Sequence, residues 1–582
     1  MNTQDNPQPI PLHDYSISHA GRRTILRPER RRRWRRRGLL ALALIVGIAA
    51  SGLVGCMMTP AIPTGQRQAP EEIPYTTETI FQRLPPLTHE RGTRWPMVIW
   101  TPFCSGPQDT GFQQGKPAPL ETYRELLRRG FVQPVRTDAR YIPIALALQE
   151  AGCPVIFVEG VGGPGPYAAV PDWQHQLPKD YDLQGKEMFP CPGHLAGWEK
   201  RADELRATLK QFCDAGVKVS AAWLDWEGEP RYWPYEHYRQ MSKCLRCKQE
   251  LPASARRWFL GFLDYAKQQR LALYSRYLAA PILEVFPAAS VANWDMVCSS
   301  DAAKTENYWG DAYPEFDLGP FTDAMPAVYG SSAVFSCYWR GMLGAPWNHW
   351  RHRLYVDDPV PVTDQVYTHV MLRVFSREAA SRQVLAPGKG SVPWVSRYVI
   401  ESQDNKRLLP MLSRERYREI LRHVWLRGAT AMQVFNPDCY GSTTWCIYKL
   451  EDAAAVYDEM MAWRRFLEAG TPLNFDGPAR EDAGAVWSGL RLDDEALIGG
   501  FTQGSRPVRF RVRPWASAAA VELQAVPAGT TWLLRRTGDS IMVEAQPPAP
   551  DPDARRTVSR VYPPHGQETP HAIAEGQGER NK

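Results

Sequence analysis

The sequence lacks the short motifs that identify several large enzyme classes. It contains no HExxH, no P-loop and no GxGxxG followed by an acidic residue, which argues against a metalloprotease, a nucleoside triphosphatase and a dinucleotide-binding enzyme. It also contains no GxSxG, the nucleophile turn of the α/β-hydrolases. The 12 histidines show no clustering beyond His349 and His352. We therefore expect neither a metal nor another cofactor.

Positive charge is scarce outside the N-terminus. The formal net charge is +6, but residues 1–37 alone contain ten arginines, no lysine and three acids, a net of +7. The rest of the chain therefore has a net charge of −1. A folded body without a basic excess argues against a nucleic acid as partner.

The arginine-rich segment is followed by an apolar run, residues 38–54, and then by Cys56. A basic segment, an apolar run and small residues are the parts of a secretory signal. The ending LVGC resembles the bacterial lipobox, in which the cysteine is lipidated. The sequence therefore predicts a signal peptide over residues 1–56, a lipid on Cys56 and an exported protein anchored to the membrane of the cell envelope. The alternative is an uncleaved signal anchor, because the run is almost long enough to span a bilayer.

Ten cysteines follow Cys56. In an exported protein, disulfides are the expected fate of several of them. Cys244 and Cys247 form a CxxC, which is half of a zinc-ribbon pattern, but no second CxxC follows. We interpret this pair as a local disulfide or a metal-free turn.

The rest of the chain divides by its periodicity into an α/β region and an all-β region. Residues 57–90 are rich in Pro, Thr and Gln, which predicts a flexible tether. Over residues 91–470, short apolar strands alternate with helices about seven times, which predicts a (β/α) TIM-like barrel. Residues 471–546 contain short alternating strands, which predict a small antiparallel β-sandwich, and residues 547–582 predict a disordered tail.

Acidic and aromatic residues recur where the predicted barrel strands end. The active sites of such barrels lie at the carboxyl ends of the strands. The chain is also rich in Trp (21) and Tyr (24), residue types that stack on sugars. The candidate substrate-binding residues at these ends are Trp226, Asn293, Asp295, Tyr329, Glu401 and Asn436. The partner that this composition favours is a polysaccharide.

The stretch SAAWLDWE places Asp225 and Glu227 two residues apart at the end of a predicted strand. Side chains at i and i+2 of a strand face the same way. The two carboxyl groups would therefore be too close to act on opposite faces of a sugar ring. They suit substrate-assisted cleavage, in which an N-acetyl group supplies the nucleophile. In that mechanism Glu227 protonates the leaving group and Asp225 orients the acetamido nitrogen.

Several stretches resemble, in the same order, the hyaluronidase family of glycoside hydrolases. WLDWEGEPR resembles that family's IDWExWRP strand, MVIWTPFC its first strand and DAMPAVYG a later strand that ends in Tyr. The resemblance extends over roughly residues 94–437 and leaves out the C-terminal strands. It implies that Glu227 is the proton donor, that Asp225 is its acetamido-orienting partner, and that Tyr329 is a substrate-binding hydroxyl. The implied substrate is a polysaccharide that contains N-acetylhexosamine.

Two alternatives use the same barrel. Glu227 as acid and Glu401 as nucleophile would make a two-carboxylate retaining glycosidase. A surface lipoprotein that binds glycans without cleaving them would keep the aromatic residues and lose the geometry of the acid pair.

Overall fold

The computed structural model describes most of the chain between residues 73 and 546. The described residues are 73–74, 76–99, 117–161, 165–184, 188–226, 234–293, 368, 371–372, 375–376, 392–400, 408–410, 412–434, 443–475 and 484–546. The predicted signal peptide, Cys56 and the predicted tail lie outside them.

Within these residues, the helices and strands have the following bounds. The helices are α1 Thr77–Arg83, α2 Leu120–Arg128, α3 Ile142–Glu150, α4 Ala196–Asp214, α5 Pro234–Lys243, α6 Leu245–Glu250, α7 Ala253–Arg257, α8 Phe259–Leu273, α9 Ala280–Val285, α10 Arg414–Leu426, α11 Thr443–Met461 and α12 Arg464–Ala469. The strands are β1 Met97–Ile99, β2 Phe131–Val132, β3 Val135–Arg136, β4 Ile156–Val161, β5 Ala221–Trp226, β6 Ser290–Asn293, β7 Trp394–Val395, β8 Tyr398–Ile400, β9 Leu408–Pro410, β10 Gln433–Val434, β11 Thr471–Pro472, β12 Ala485–Leu492, β13 Glu495–Thr502, β14 Val508–Val512, β15 Val521–Ala525, β16 Thr530–Thr537 and β17 Ser540–Gln546.

The first part of the fold contains two parallel sheets of four strands each. Their orders are β2-β1-β10-β7 and β3-β4-β5-β6. Every neighbouring pair in both sheets is parallel. The predicted alternation of strands and helices is thus confirmed as a parallel α/β arrangement, because parallel neighbours need a crossover connection between them.

The two sheets are linked through β2 and β3, which follow one another closely in the chain. Only Gln133 and Pro134 separate β2 from β3, so the strands follow the order β7-β10-β1-(β2, β3)-β4-β5-β6. The first strand, β1, pairs with β10, the last of the parallel strands, as it does in a (β/α) barrel. Closure would require contact between the β6 and β7 ends of this order. Almost all of the chain between them, residues 294–391, lies outside the described residues, and the closed barrel stays a prediction.

Strand β5 is buried on both faces, and helix α4 packs against its neighbour β4. Residues Ala221 to Leu224 of β5 are at most 2% exposed. In β4, the Phe157 ring contacts the Phe212 ring of α4 edge-on, with centroids 5.0 Å apart. Strands buried on both faces have continuous apolar runs, which is why β4 and β5 were visible in the sequence.

Glycine allows the tight turns that return the chain from helix to strand. Gly216 follows α4 with φ 86°, and Gly428 follows α10 with φ 88°. This left-handed region is costly for residues that have a Cβ. The two turns set where β5 and β10 begin.

Residues 471–546 form two antiparallel layers, which supports the predicted sandwich. Five strands pair in the order β11-β12-β13-β16-β17, and β14 pairs with β15 in a separate two-stranded sheet. The layers pack face to face through buried residues of both, including Ile498, Leu523 and Trp532. The period-two pattern therefore predicted the six strands β12 to β17 correctly.

A buried polar contact joins these layers to α10. The Arg427 guanidinium donates to Ser488 Oγ in β12 at 2.8 Å, and His423 Nδ1 lies 2.8 Å from the same hydroxyl. The His423 ring also meets the Phe501 ring of β13 edge-on, with centroids 4.9 Å apart. The antiparallel layers therefore pack directly on a helix of the α/β part.

The predicted tether over residues 57–90 is corrected in its second half. Thr76 caps α1 by accepting from the Thr79 amide at 3.0 Å, and Ile80 of this helix is 1% exposed. The Thr88 hydroxyl donates to Asp458 of α11. The Pro- and Thr-rich composition concealed a capped helix that packs on the fold. In the described part of the chain, no helix has the length and apolar character to cross a bilayer.

Candidate functional site

The acid Asp225 is the fifth residue of β5, directly after the buried residues of that strand. Its Cα pairs with Gly160 of β4, and the preceding Leu224 pairs with Asn293 of β6. Strand β5 therefore has parallel neighbours on both sides, and the backbone brings Asp225 to the carboxyl end of the sheet. This is the position that the sequence predicts for a catalytic acid.

The other predicted site residues are placed to different extents. Trp226 is the last residue of β5 and Asn293 the last residue of β6, so both lie at the same edge as Asp225. The remaining predicted residues lie outside the described ranges: Glu227, Asp295, Tyr329, Glu401 and Asn436. By chain position, Glu227 directly follows β5 and Asn436 comes two residues after β10.

The run VPWVSRYVI, residues 392–400, which precedes Glu401, does not form one strand of the parallel sheet. Instead, β7 covers only residues 394–395 of it, and β8 pairs antiparallel with β9 in a separate two-stranded sheet. Glu401 itself lies outside the described residues, so its predicted place at the end of a barrel strand stays a prediction.

The segment that follows β4 packs tightly against the start of α4. Residues 165–169 form a turn of 3₁₀ helix, and the Tyr167 ring of this turn contacts the Trp198 ring edge-on at 5.5 Å. Gly197 lies against this turn so closely that a Cβ there would overlap the backbone oxygen of Pro166. The 3₁₀ turn is therefore held closely against the first residues of α4.

Four metal-ligating side chains meet beyond the ends of β4 and β5. His175 and Cys191 come from the segment between β4 and α4, and Cys244 and Cys247 come from α6 and the residue before it. All four are buried, and their ligand atoms all lie within 4.8 Å of one another. We call these residues the Cys₃His cluster.

Three of the distances within the Cys₃His cluster lie between 3.5 and 3.9 Å. Cys191 Sγ lies 3.9 Å from Cys244 Sγ and 3.5 Å from Cys247 Sγ. His175 Nδ1 lies 3.6 Å from Cys247 Sγ. The three cysteines are free thiols, so the local disulfide, one of the two predicted interpretations of Cys244 and Cys247, is wrong.

Backbone hydrogen bonds fix the elements that contribute the cluster. The Cys191 amide donates to the Trp173 oxygen at 2.8 Å, and the His175 amide donates to the Phe189 oxygen at 3.2 Å. These bonds pair two extended stretches antiparallel, and each stretch provides one ligand. The Leu245 amide donates to the Gln176 oxygen at 2.9 Å, which ties this pair to α6.

The electrostatics of the cluster favour the metal-binding form of two of its side chains, His175 and Cys244, while the hydrogen bonds of the Cys247 thiol raise the pKa of Cys247. Burial lowers the pKa of His175 to about 4, so the imidazole is neutral near pH 7. Hydrogen bonds from the Cys191 and Cys247 thiols hold the pKa of Cys244 far below its usual value. The hydrogen bond to Cys244 in turn raises the pKa of Cys191 to about 11. A neutral imidazole and a stabilised thiolate are the forms that bind metals.

No family model and no curated protein matches this chain. Solved structures do match, at low similarity. A catalytic mutant of Gan42B, a GH42 β-galactosidase from G. stearothermophilus, aligns with 10% identity and a TM-score of 0.32 over 55% of this chain. The alignment spans about half of that enzyme, 48%.

Two further solved structures cover more of this chain. The α-amylase from Geobacillus thermoleovorans complexed with acarbose aligns with 10% identity and a TM-score of 0.34, over 70% of this chain and 80% of its own. The GH30 endoxylanase from Clostridium papyrosolvens aligns with 10% identity and a TM-score of 0.32, over 79% and 95%. The matched proteins are glycosidases by their descriptions, but similarity at this level assigns no activity to this chain.

The sequence reasoning missed the Cys₃His cluster because its ligands lie in three separate places. The CxxC at Cys244 and Cys247 was the only local signal. A second signal was available: Cys191 and His175 both lie in the connection after β4. Connections that follow neighbouring parallel strands meet at one end of the sheet, so these residues could approach the CxxC after β5. Reading the CxxC together with that connection would have predicted a four-ligand set.

Proposed function

We propose that this protein is an exported glycoside hydrolase whose acid pair is Asp225 and Glu227. The observation that carries the proposal is the position of Asp225 at the carboxyl end of β5, between two parallel neighbours. Residue Glu227 comes two positions later in the sequence, directly after the last residue of β5. Buried apolar residues followed at once by acids are typical of a strand that delivers catalytic groups to an open edge.

In this proposal, Glu227 donates a proton to the leaving glycosidic oxygen. Asp225 accepts a hydrogen bond from the acetamido N–H of the substrate, which orients the acetamido oxygen for attack on the anomeric carbon. The substrate thus provides the nucleophile, and Glu227 later accepts a proton from water as the cyclic intermediate opens. The substrate class is a polysaccharide containing N-acetylhexosamine, and the lipid on Cys56 would hold the enzyme at the cell envelope.

Reducing-end release from a panel of polysaccharides tests the proposal. The panel contains N-acetylated glycosaminoglycans, chitin-like oligomers, neutral glucans and xylans. We expect activity on N-acetylated polymers only, and a loss of about 10²–10⁴-fold in Glu227→Gln, the usual contribution of a general acid. Glu150→Gln is the control. This exposed acid is the last residue of α3 and precedes β4, so it lies toward the amino end of the strands, whereas Asp225 lies at the carboxyl end.

The other outcomes separate the alternatives. Release from neutral glycans would contradict the substrate-assisted mechanism and favour a second carboxylate as nucleophile, with Glu401 to be tested next. Full activity in Glu227→Gln would remove Glu227 from the mechanism. Absence of release from every polymer would refute the hydrolase, and tight binding to one of them would then indicate a glycan-binding lipoprotein.

A further inference from the structure

We propose that His175, Cys191, Cys244 and Cys247 bind one structural zinc ion. Ligand type, ligand number and spacing all support the assignment. Three thiol sulfurs and one imidazole nitrogen form one of the common donor sets of structural Zn²⁺. All four side chains are at most 2% exposed.

The spacing of the donor atoms matches a tetrahedral ion. With Zn–S bonds of about 2.3 Å and a Zn–N bond of about 2.0–2.1 Å, tetrahedral ligands lie about 3.8 Å apart for two sulfurs and about 3.6 Å apart for sulfur and nitrogen. The two sulfur pairs measured from Cys191 are 3.5 and 3.9 Å, and the Cys247 Sγ–His175 Nδ1 distance is 3.6 Å. A disulfide would need two of these sulfurs about 2.05 Å apart.

Backbone amides support the sulfur of Cys244 as they would support a metal thiolate. The Gln176 amide donates to Cys244 Sγ at 3.3 Å, and the Cys247 amide donates to it at 3.5 Å. Hydrogen bonds to the ligands distribute the negative charge of the thiolates and fix their orientation. Four protein ligands leave no open coordination position, so the site is structural and not catalytic.

The zinc ion would stabilise segments that share only a small apolar core. The apolar cluster around the site contains seven buried residues, and three of them are the ligand cysteines. The other four buried members of this cluster are Met241, Leu251, Phe262 and Ala266. Small cores of this kind commonly depend on a metal or disulfides for stability.

The position of the site gives the ion a specific task. It joins the segment between β4 and α4 to the helices α5 to α8, which follow β5. Both of these connections begin at the carboxyl edge of the sheet, where Asp225 lies. Zinc binding would therefore hold the two connections together beside the edge that carries the proposed acid pair. The ligand assignment itself does not depend on any catalytic activity.

Metal analysis of the purified full-length chain tests the inference directly. We expect about one zinc per chain in the wild type, the stoichiometry of a single tetrahedral site. Cys247→Ser should reduce the zinc content at least tenfold. Cys213→Ser is the matched control, because Cys213 is an exposed cysteine in α4, and it should retain the full content. Substitution with Co²⁺ should give the visible absorption of a tetrahedral thiolate complex.

A second measurement on the wild type covers the case in which Cys247→Ser fails to fold. Alkylation of the reduced protein, mapped by mass spectrometry, should show that Zn²⁺ protects Cys191, Cys244 and Cys247 but leaves Cys213 reactive. The inference is overturned if reduced wild type retains no more zinc than Cys247→Ser, or if zinc protects none of the three thiols. It is equally overturned if a disulfide within the cluster persists in folded protein that contains no zinc. Glycosidase activity enters none of these readouts, so failure of the proposed function would leave the result unaffected.

Discussion

Asp452 offers the sharpest test of how the α/β part is held together. This residue of α11 is fully buried, and it binds two arginines of α10. Arg414 Nε donates to its two carboxylate oxygens at 2.9 and 3.1 Å, and Arg418 Nε donates to one of them at 2.7 Å. The arginine side chains are only 9% and 13% exposed. We predict that Asp452→Asn strongly destabilises the protein, because it leaves buried positive charge without its anion.

The expected size follows from these contacts. Removing one partner of a buried ion pair costs about 3–5 kcal/mol. The lower end applies here, about 3 kcal/mol, because Arg414 keeps a second partner in Glu451 at 2.9 Å and Asn fills the same volume. Asp203→Asn is the control: Asp203 is 79% exposed and pairs with Arg206 at 2.9 Å. Such a surface pair contributes about 0–1 kcal/mol.

Urea unfolding provides the measurement, with tryptophan fluorescence and far-UV circular dichroism as two probes. Coincident transitions allow a free energy of unfolding to be extracted for each variant. If Asp452→Asn lowers that free energy by no more than Asp203→Asn does, the reasoning is refuted. The pair between α10 and α11 would then be replaceable by neutral hydrogen bonds.

Two further predictions concern pH and packing. Burial opposes the charge on Glu419, but the neighbouring His423 ring and Arg422 outweigh it and lower the Glu419 pKa, while burial lowers the His423 pKa. Both groups therefore bind fewer protons in the folded state than in the unfolded state, and the free energy of unfolding should fall as the pH decreases. The fall due to His423 should begin below about pH 6.5, and the fall due to Glu419 below about pH 4.3. Gly197→Ala should destabilise by about 1–3 kcal/mol, because its Cβ would overlap the oxygen of Pro166.

The pH prediction and the packing prediction are each tested against a control variant. The stability that wild type holds over His423→Gln should shrink between pH 7.5 and about pH 5.5, and a constant difference would contradict the assigned direction. For the packing prediction, Ala207→Ser changes an exposed residue of the same helix. Equal thermal midpoints for Gly197→Ala and Ala207→Ser would mean that the 3₁₀ turn moves aside without cost.

The parts of the fold that the sequence predicted are those with strong local periodicity. A few residues are enough to identify a strand in two places: the apolar runs of β4 and β5, and the alternating polar and apolar residues of β12 to β17. Asp225 was placed correctly at a strand end for the same reason, since an acid directly after four buried residues marks where a strand leaves the core. In these elements, local pattern and tertiary position agree.

The misplaced parts depend on contacts between distant residues. The run through Ile400 has a strand's composition, but composition does not determine which sheet a strand joins, and β8 pairs with β9. The helix α1 is only seven residues long, and its burial against α11 depends on residues more than 350 positions away. The Cys₃His cluster combines both difficulties, because His175 precedes Cys247 by 72 positions.

The three thiols of that cluster also make the order of events during maturation important. In the metal-free cluster an oxidant would meet sulfurs only 3.5 and 3.9 Å apart, and oxidation to a disulfide would bring two of them to about 2.05 Å. A bound metal withdraws the sulfur electron pairs that such a reaction requires. If the metal binds first, the cysteines would stay thiolate ligands; if the oxidant reacts first, two of them would form a disulfide. If the chain folds in an oxidising compartment, the state of this cluster, with metal or with a disulfide, would therefore depend on whether metal was available there before oxidation.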